Sequence, residues 1–339
     1  MTPEPTQQLL RRALSRRAFV RSAFAATAGG AALYAVGCGS VDGDATPTGA
    51  RTSGAGETPA ASGPGASGEL RPALLTSEFV AGENNRFAVG LLQGADLVKD
   101  AAVNARFYKI GDDGQTGEFR GEGDLRFVQL NVEGAHMYDS SSGGMAAQDA
   151  VSFYVANTPF DVAGPWGVEL AVTPQGGGSP VSAQVPFEVL SEPKSPGLGT
   201  IPPASRNDTI ATKAAAGSIC SRDPVCPLHD KVIADVLGKG RPLVVQFSTP
   251  AFCETRFCGP VLEVLLNQMP DYQDKVDFIH IEVWEDFQGK KYREAGVEWN
   301  LPTEPYTFLM NRQGVVVGKI EAVFTEEELR NALDQLAAL

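Results

Sequence analysis

The 339-residue sequence is poor in the residues that most often carry chemistry: three histidines, five cysteines and three tryptophans. No cysteine lies between Cys38 and Cys220, which excludes a disulfide anywhere in that long stretch. No glycine-rich phosphate loop, haem-attachment motif or flavin fingerprint is present, so no cofactor is expected. Basic residues are also scarce, 28 against 41 acidic ones, for a net charge of −13. That balance argues against nucleic acid or an anionic membrane face as a partner. Apolar runs fall short of the roughly 20 residues a spanning helix needs. The longest candidate, 22–37, is rich in alanine and broken by glycines.

What is present begins with an N-terminal targeting pattern. Ser15-Arg16-Arg17-Ala18-Phe19-Val20-Arg21 resembles the twin-arginine export signal, and Ala35-Val36-Gly37-Cys38 resembles a lipobox with alanine where leucine is usual. The resemblance implies that residues 1–38 are a lipoprotein signal peptide, that Cys38 is the lipidated residue, and that the protein is extracytoplasmic and anchored to the cell membrane through that lipid. Residues 39–68 are almost entirely Gly, Ser, Thr, Ala and Pro, with Val41 the one large aliphatic. Such a stretch cannot bury a core and reads as a disordered tether with a reach of roughly 30 Å. Setting Cys38 aside leaves four cysteines in two near-neighbour pairs, Cys220/Cys226 and Cys253/Cys258. Even pairing suits an oxidising compartment.

Residues 69–190 read as all-β. Trp166, Val168, Leu170 and Val172 alternate, as do Val181, Ala183, Val185, Phe187 and Val189, giving each of two strands one buried face. Further strands are expected at 85–92, 102–110, 125–132 and 150–156. Six or seven short strands over this length resemble an immunoglobulin-like β-sandwich. The hairpin opened by Phe160-Asp-Val-Ala-Gly-Pro-Trp166 resembles small extracytoplasmic sandwiches found near copper-handling proteins. His136 and Met137 are expected in an exposed loop rather than at a metal.

A second linker is expected at 191–217, followed by an α/β domain over 218–339. Its elements run as a short helix 231–237 capped by Asp230, a buried strand 243–247, a helix 260–269, a strand 276–283, a helix 290–295 and strands 306–310 and 315–323. Thr325-Glu-Glu-Glu328 then opens a last helix as a capping box. Between the first strand and the long helix lies Cys253-Glu-Thr-Arg-Phe-Cys258-Gly-Pro260. A cysteine at a helix start meets backbone N–H groups and the positive dipole end, which favour a thiolate.

Strand, Cys-Gly-Pro and helix resemble the active-site turn of the thioredoxin superfamily, and Pro302-Thr-Glu304-Pro305 resembles the segment in which a cis-proline opens a core strand beside the cysteines. The resemblance implies thiol–disulfide exchange on extracytoplasmic protein thiols or disulfides. Cys258 and Cys253 would be the catalytic pair, and Pro305, with Glu304 before it, would shape the client site. Cys258 is the preferred nucleophile with Cys253 resolving it; the reverse assignment stays open. Three features depart from the family. Val261 takes the place of its second cysteine, Gln246 stands where a buried aspartate is usual, and Phe257 replaces tryptophan.

Two other chemistries fit the pair. It could be a structural staple in a non-catalytic binding or scaffold lipoprotein. It could also hold Cu(I), as in Sco-type copper chaperones, with His280 as the only downstream histidine. Against copper, His280 alternates with Ile279 and Ile281, which puts it on an exposed strand face. Cys220 and Cys226 are expected as a small structural disulfide. Cys226-Pro-Leu-His229 has the look of a metal half-site without a matching half, and no metal is expected there.

Overall fold

The computed structural model describes residues 69–339 except 95, 112–113, 115–116, 131–135, 140–143, 148–150, 214–218, 252–256 and 287–290, and at 136–139 and 144–147 it describes the strands alone. The export motif, Cys38, the tether and Cys253 therefore lie outside the described residues. Among the described residues no helix is long and apolar enough to cross a membrane.

The first part of the chain is almost wholly β. Its strands are β1 (Leu70–Leu74), β2 (Phe79–Val80), β3 (Asn84–Gln93), β4 (Asp96–Leu97), β5 (Ala102–Ile110), β6 (Gly117–Leu130), β7 (His136–Asp139), β8 (Gly144–Ala147), β9 (Val151–Pro159), β10 (Gly164–Thr173) and β11 (Val181–Leu190). Nine of them form one curled sheet in the order β1-β3-β9-β6-β5-β10-β11-β2, with β4 on β3, while β7 and β8 pair separately. His136 and Met137 thus lie in a strand and not in a loop. The curl turns on β6, whose Gly117–Leu125 stretch pairs with β5 and whose Arg126–Leu130 stretch pairs with β9.

Inside the curl sits an aromatic core. Phe79, Phe87, Phe107, Phe160, Trp166 and Phe187 pack ring against ring, some edge to face and Phe79 on Phe87 stacked, with Phe160 and Trp166 ring centroids 5.0 Å apart. Such pairs add about 0.5–1.5 kcal/mol each beyond their buried area. Trp166 keeps its indole N–H satisfied on the Val162 carbonyl at 2.9 Å. The expected alternation holds on β10, where Trp166, Val168, Leu170 and Val172 are all buried. On β11 it holds at Val185, Phe187 and Val189, with Val189 alone fully buried. Val181 is exposed and the intervening positions are half-buried or open. The reason is position: beyond β11 lies only the two-residue β2, which covers Val189 and Leu190 and leaves the rest an edge.

The remaining elements are α1 (Ile233–Val236), β12 (Leu243–Phe247), α2 (Cys258–Tyr272), β13 (Asp277–Ile281), β14 (Trp284–Asp286), β15 (Lys291–Tyr292), α3 (Glu294–Glu298), β16 (Tyr306–Met310), β17 (Val316–Glu321) and α4 (Glu326–Ala338). Their sheet has the order β13-β12-β16-β17. β12 runs parallel to β13 and antiparallel to β16, and β16 antiparallel to β17. Parallel neighbours require a crossover, and α2 supplies it.

This sheet is covered on both faces, so its strands read as continuous apolar runs. Leu243, Val245, Phe247, Ile279 and Ile281 pack with Ile233, Trp299 and Phe308 on one side. Val244, Phe278 and Leu309 pack with Val261, Leu265, Leu329 and Leu333 of α2 and α4 on the other. Thr325 caps α4 as expected: its hydroxyl accepts from Glu328 N at 2.9 Å, and its own N–H donates to the Glu328 carboxylate at 2.8 Å. Asp230 does not cap α1. Asn207 does that work from a distance, accepting Ile233 N–H at 2.8 Å. The segment expected as a second linker is anchored rather than free, with Gly199 N bonded to Val316 O, Val316 N to Thr200 O, and the Trp299 indole to Ser205 Oγ.

The curled sheet and the mixed sheet share a core: Ala88, Val128, Val151, Phe153 and Val155 belong to the same cluster as α2 and α4. A polar seam runs beside it. Glu321 accepts the backbone N–H groups of Ser77 and Glu78, and Glu78 accepts Lys194 N, Ser195 N and the Lys319 ammonium, the last at 2.6 Å.

Candidate functional site

Ser248 marks the end of the central strand β12, and the chemistry gathers around it. The register sets Phe247 opposite Ile281 on one side and Tyr306 on the other. Pro305 and Glu304 therefore flank Ser248 from β16, and His280 and Glu282 flank it from β13. The peptide bond Glu304–Pro305 is cis. The chain leaving β12 returns at Cys258, the first residue of the 15-residue helix α2, which is fully buried. Cys258 is disulfide-bonded, and its partner lies outside the described residues.

Glu304 is itself nearly buried. One carboxylate oxygen accepts the Trp284 indole N–H at 2.7 Å, and the other has no hydrogen-bond partner. Burial pushes this acid up to about 7, against the opposing pull of the Thr249 and Trp284 side chains. Gln246, at the position the resemblance reserves for an aspartate, is sealed beneath: Thr307 Oγ1 donates to its Oε1 at 2.5 Å. A neutral amide paired with a hydroxyl has no proton to give at working pH, so Glu304 is the titratable acid on this side of the strand end.

The expected bond between Cys220 and Cys226 is not formed. Both are free, buried thiols with sulfurs 3.8 Å apart. What holds them together is a second pair of side chains, His229 and His280, so that all four donor atoms lie within 4.8 Å of one another. Cys226 Sγ is 3.2 Å from His229 Nε2 and 3.4 Å from His280 Nδ1. Cys220 Sγ is 3.9 Å from His280 Nδ1, and the two ring nitrogens are 3.2 Å apart. The expectation of an exposed His280 is overturned, since it has no accessible surface at all. Ile279 and Ile281 do face one core, but the opposite face is covered as well, by the segment carrying the two cysteines.

That segment is held by several anchors. Its Asp223–Pro224 peptide is cis. Arg222 binds both carboxylate oxygens of Glu263 on α2, at 2.5 and 3.0 Å. Ser221 N donates to Glu282 at 2.8 Å, Ser221 Oγ accepts Ala251 N at 3.0 Å, and His280 N donates to Leu228 O. His280 Nε2 lies 3.0 Å from the Ser248 carbonyl oxygen. The Ser248 hydroxyl lies 3.0 Å from the same nitrogen; a proton on Nε2 satisfies the carbonyl, which only accepts, and Nδ1 is the nitrogen turned toward the sulfurs.

The electrostatics follow from crowding. Cys220 is drawn well below the ordinary thiol value, first by the adjoining Cys226 thiol and then by the two imidazoles. Cys226 is driven above it by the adjoining Cys220 sulfur and by burial. Burial pulls His229 down. It pulls His280 down too, but the Cys220 sulfur and the Glu282 carboxylate outweigh it, and the balance lies above the ordinary value.

The two cysteines and the Cys226-x-x-His229 spacing were visible in the sequence. The fourth member, His280, was hidden by the assumption that a strand's alternate face is wet.

No family model matches the chain, and no curated protein does. Among solved structures, a copper-bound variant of FetP from uropathogenic Escherichia coli is similar over 37% of this chain and 90% of its own, at 13% identity and a TM-score of 0.21. The sporulation control protein Spo0M from Bacillus subtilis is similar over 36% of this chain and 48% of its own, at 13% identity and a TM-score of 0.18. The chain thus spans about half the length of Spo0M. Overlaps this slight carry no argument about fold or function.

Proposed function

We propose that the protein is an extracytoplasmic, membrane-tethered thiol–disulfide oxidoreductase, built from an immunoglobulin-like sandwich and a thioredoxin-like unit. The observation that carries this reading is the disulfide-bonded Cys258 at the first residue of α2, at the same sheet end as the cis bond before Pro305. The strand order β13-β12-β16-β17 with a crossover helix supports the thioredoxin-like assignment.

Cys253 is the partner in this reading, and the burial of Cys258 reverses the roles preferred from sequence. A client thiolate attacks the Cys253 sulfur, and Cys258 leaves as a thiolate at the helix start, where the helix dipole stabilises it. A second client thiol then attacks the mixed disulfide and releases Cys253. The client is oxidised to a disulfide and the pair is reduced to two thiols. Pro305 presents its neighbouring backbone to an extended client, and Glu304 moves the proton that the departing Cys258 thiolate takes up.

Equilibration in graded redox buffers, thiol trapping and mass spectrometry test this. The bond is expected to open within the range of about −120 to −270 mV spanned by oxidoreductases. A bond still closed below about −300 mV identifies a staple and removes the proposal.

A further inference from the structure

We infer that Cys220, Cys226, His229 and His280 form a closed, four-coordinate zinc site, separate from the Cys258 disulfide. The distances are those of a tetrahedron. With Zn–S about 2.3 Å and Zn–N about 2.0–2.1 Å, the edges of a regular site are about 3.8 Å between sulfurs, about 3.6 Å between sulfur and nitrogen and about 3.4 Å between nitrogens. The corresponding separations are 3.8 Å for the sulfurs, 3.2, 3.4 and 3.9 Å for three mixed pairs, and 3.2 Å for the nitrogens. The sixth, Cys220 to His229, falls within 4.8 Å.

Three further observations agree. All four side chains are buried away from bulk solvent, and two imidazole nitrogens 3.2 Å apart need a shared cation or proton between their lone pairs. The Ser248 carbonyl holds the proton of His280 on Nε2, which frees Nδ1 to ligate, the outer-shell arrangement typical of metal-bound histidine. Charge selects a divalent ion. Two thiolates, two neutral imidazoles and Zn2+ sum to zero, whereas Cu+ leaves a buried negative charge beside Glu282, whose carboxylate accepts Ser221 N. Uptake is balanced by release of two protons from the four-residue cluster to solvent.

The site also has a role that its sequence positions imply. It ties the segment 220–229 to β13, and through Arg222–Glu263 to α2, so zinc clamps the cover over the strand end that carries the candidate redox chemistry.

The test uses the full chain, purified reduced without chelator. Metal analysis and native mass spectrometry are expected to find one zinc per chain, and Co2+ in its place is expected to show the visible absorption of a tetrahedral cobalt–thiolate centre. Cys226→Ser and His280→Gln each abolish stoichiometric binding, with circular dichroism reporting whether the fold survives. Cys258→Ser keeps one zinc per chain, which separates this site from the redox reading: failure of either leaves the other standing. A folded wild-type chain that takes up neither Zn2+ nor Co2+, that binds Cu+ alone, or that is recovered with Cys220 and Cys226 joined as a disulfide, overturns the inference.

Discussion

Replacing Glu304 by glutamine tests how the strand end handles charge. The carboxyl is nearly buried, one oxygen is unpartnered, and its pKa is raised from 4.5 to about 7. Two titratable groups act on it, Glu282 raising its pKa and His280 lowering it. Below pH 4.5 the acid is protonated in the folded and unfolded chains alike, and it sits in its pocket without penalty. As pH rises the unfolded chain ionises first, so the folded state loses stability through the window from 4.5 to about 7 and levels off above it. A displacement of that size corresponds to about 3 kcal/mol. Glutamine keeps the shape and the acceptor for the Trp284 indole but cannot ionise. Urea unfolding of both proteins, repeated from about pH 5 to about pH 8, is expected to show a stability difference that moves in favour of the variant by about 2.5 kcal/mol across the range. Groups remote from Glu304 are common to both chains and cancel in the difference, while Glu282 and His280, which it touches electrostatically, shift with it. Two stability curves that run parallel across the window would refute the reasoning, because Glu304 would then be ionising as freely folded as unfolded.

Two further outcomes concern the seam between the sheets and the last helix. Lys319→Met leaves the buried Glu78 carboxylate without its cation, though still accepting Lys194 N and Ser195 N, and is expected to cost up to about 3 kcal/mol in urea unfolding, with Glu78→Gln in the same background recovering part of it. Thr325→Ala removes the cap of α4 and is expected to lower stability by about 1 kcal/mol by the same measurement, without changing the urea dependence.

The elements that sequence reasoning placed best are those whose signal is local. Strands 102–110, 243–247 and 306–310 coincide with β5, β12 and β16, and the Thr325 capping box opens α4 where its four-residue pattern puts it. Local signals failed where a distant residue did the work. Asp230 had the right chemistry for a helix cap, but the bond comes from Asn207, 26 positions from Ile233. β1 and β2 were missed because Leu70–Leu74 and Phe79–Val80 are too short to show a period and are defined by their partners. The Cys/His cluster is the sharpest case. Proximity in sequence proposed a bond between Cys220 and Cys226, yet both are free and packed against His280, which β13 brings to the site by lying parallel to β12. Nothing in a strand's own alternation reveals that both its faces are covered.

That double coverage recurs in β9, with a consequence for how the chain finds its fold. Phe153 and Val155 belong to the core shared with α2 and α4, while their immediate neighbours Tyr154 and Ala156 point into the aromatic core of the curled sheet. A slip of β9 by one residue would exchange the two sets. The Tyr154 hydroxyl, which bonds the Val98 carbonyl and the Ala101 N–H, would be driven among leucines, and Phe153 would leave the place where the Arg86 guanidinium lies 5.6 Å from its ring. An error here cannot be tolerated on one side and repaired on the other, because each side rejects it independently. β9 is therefore the strand whose alignment is proofread twice, and its correct pairing commits both halves of the molecule together.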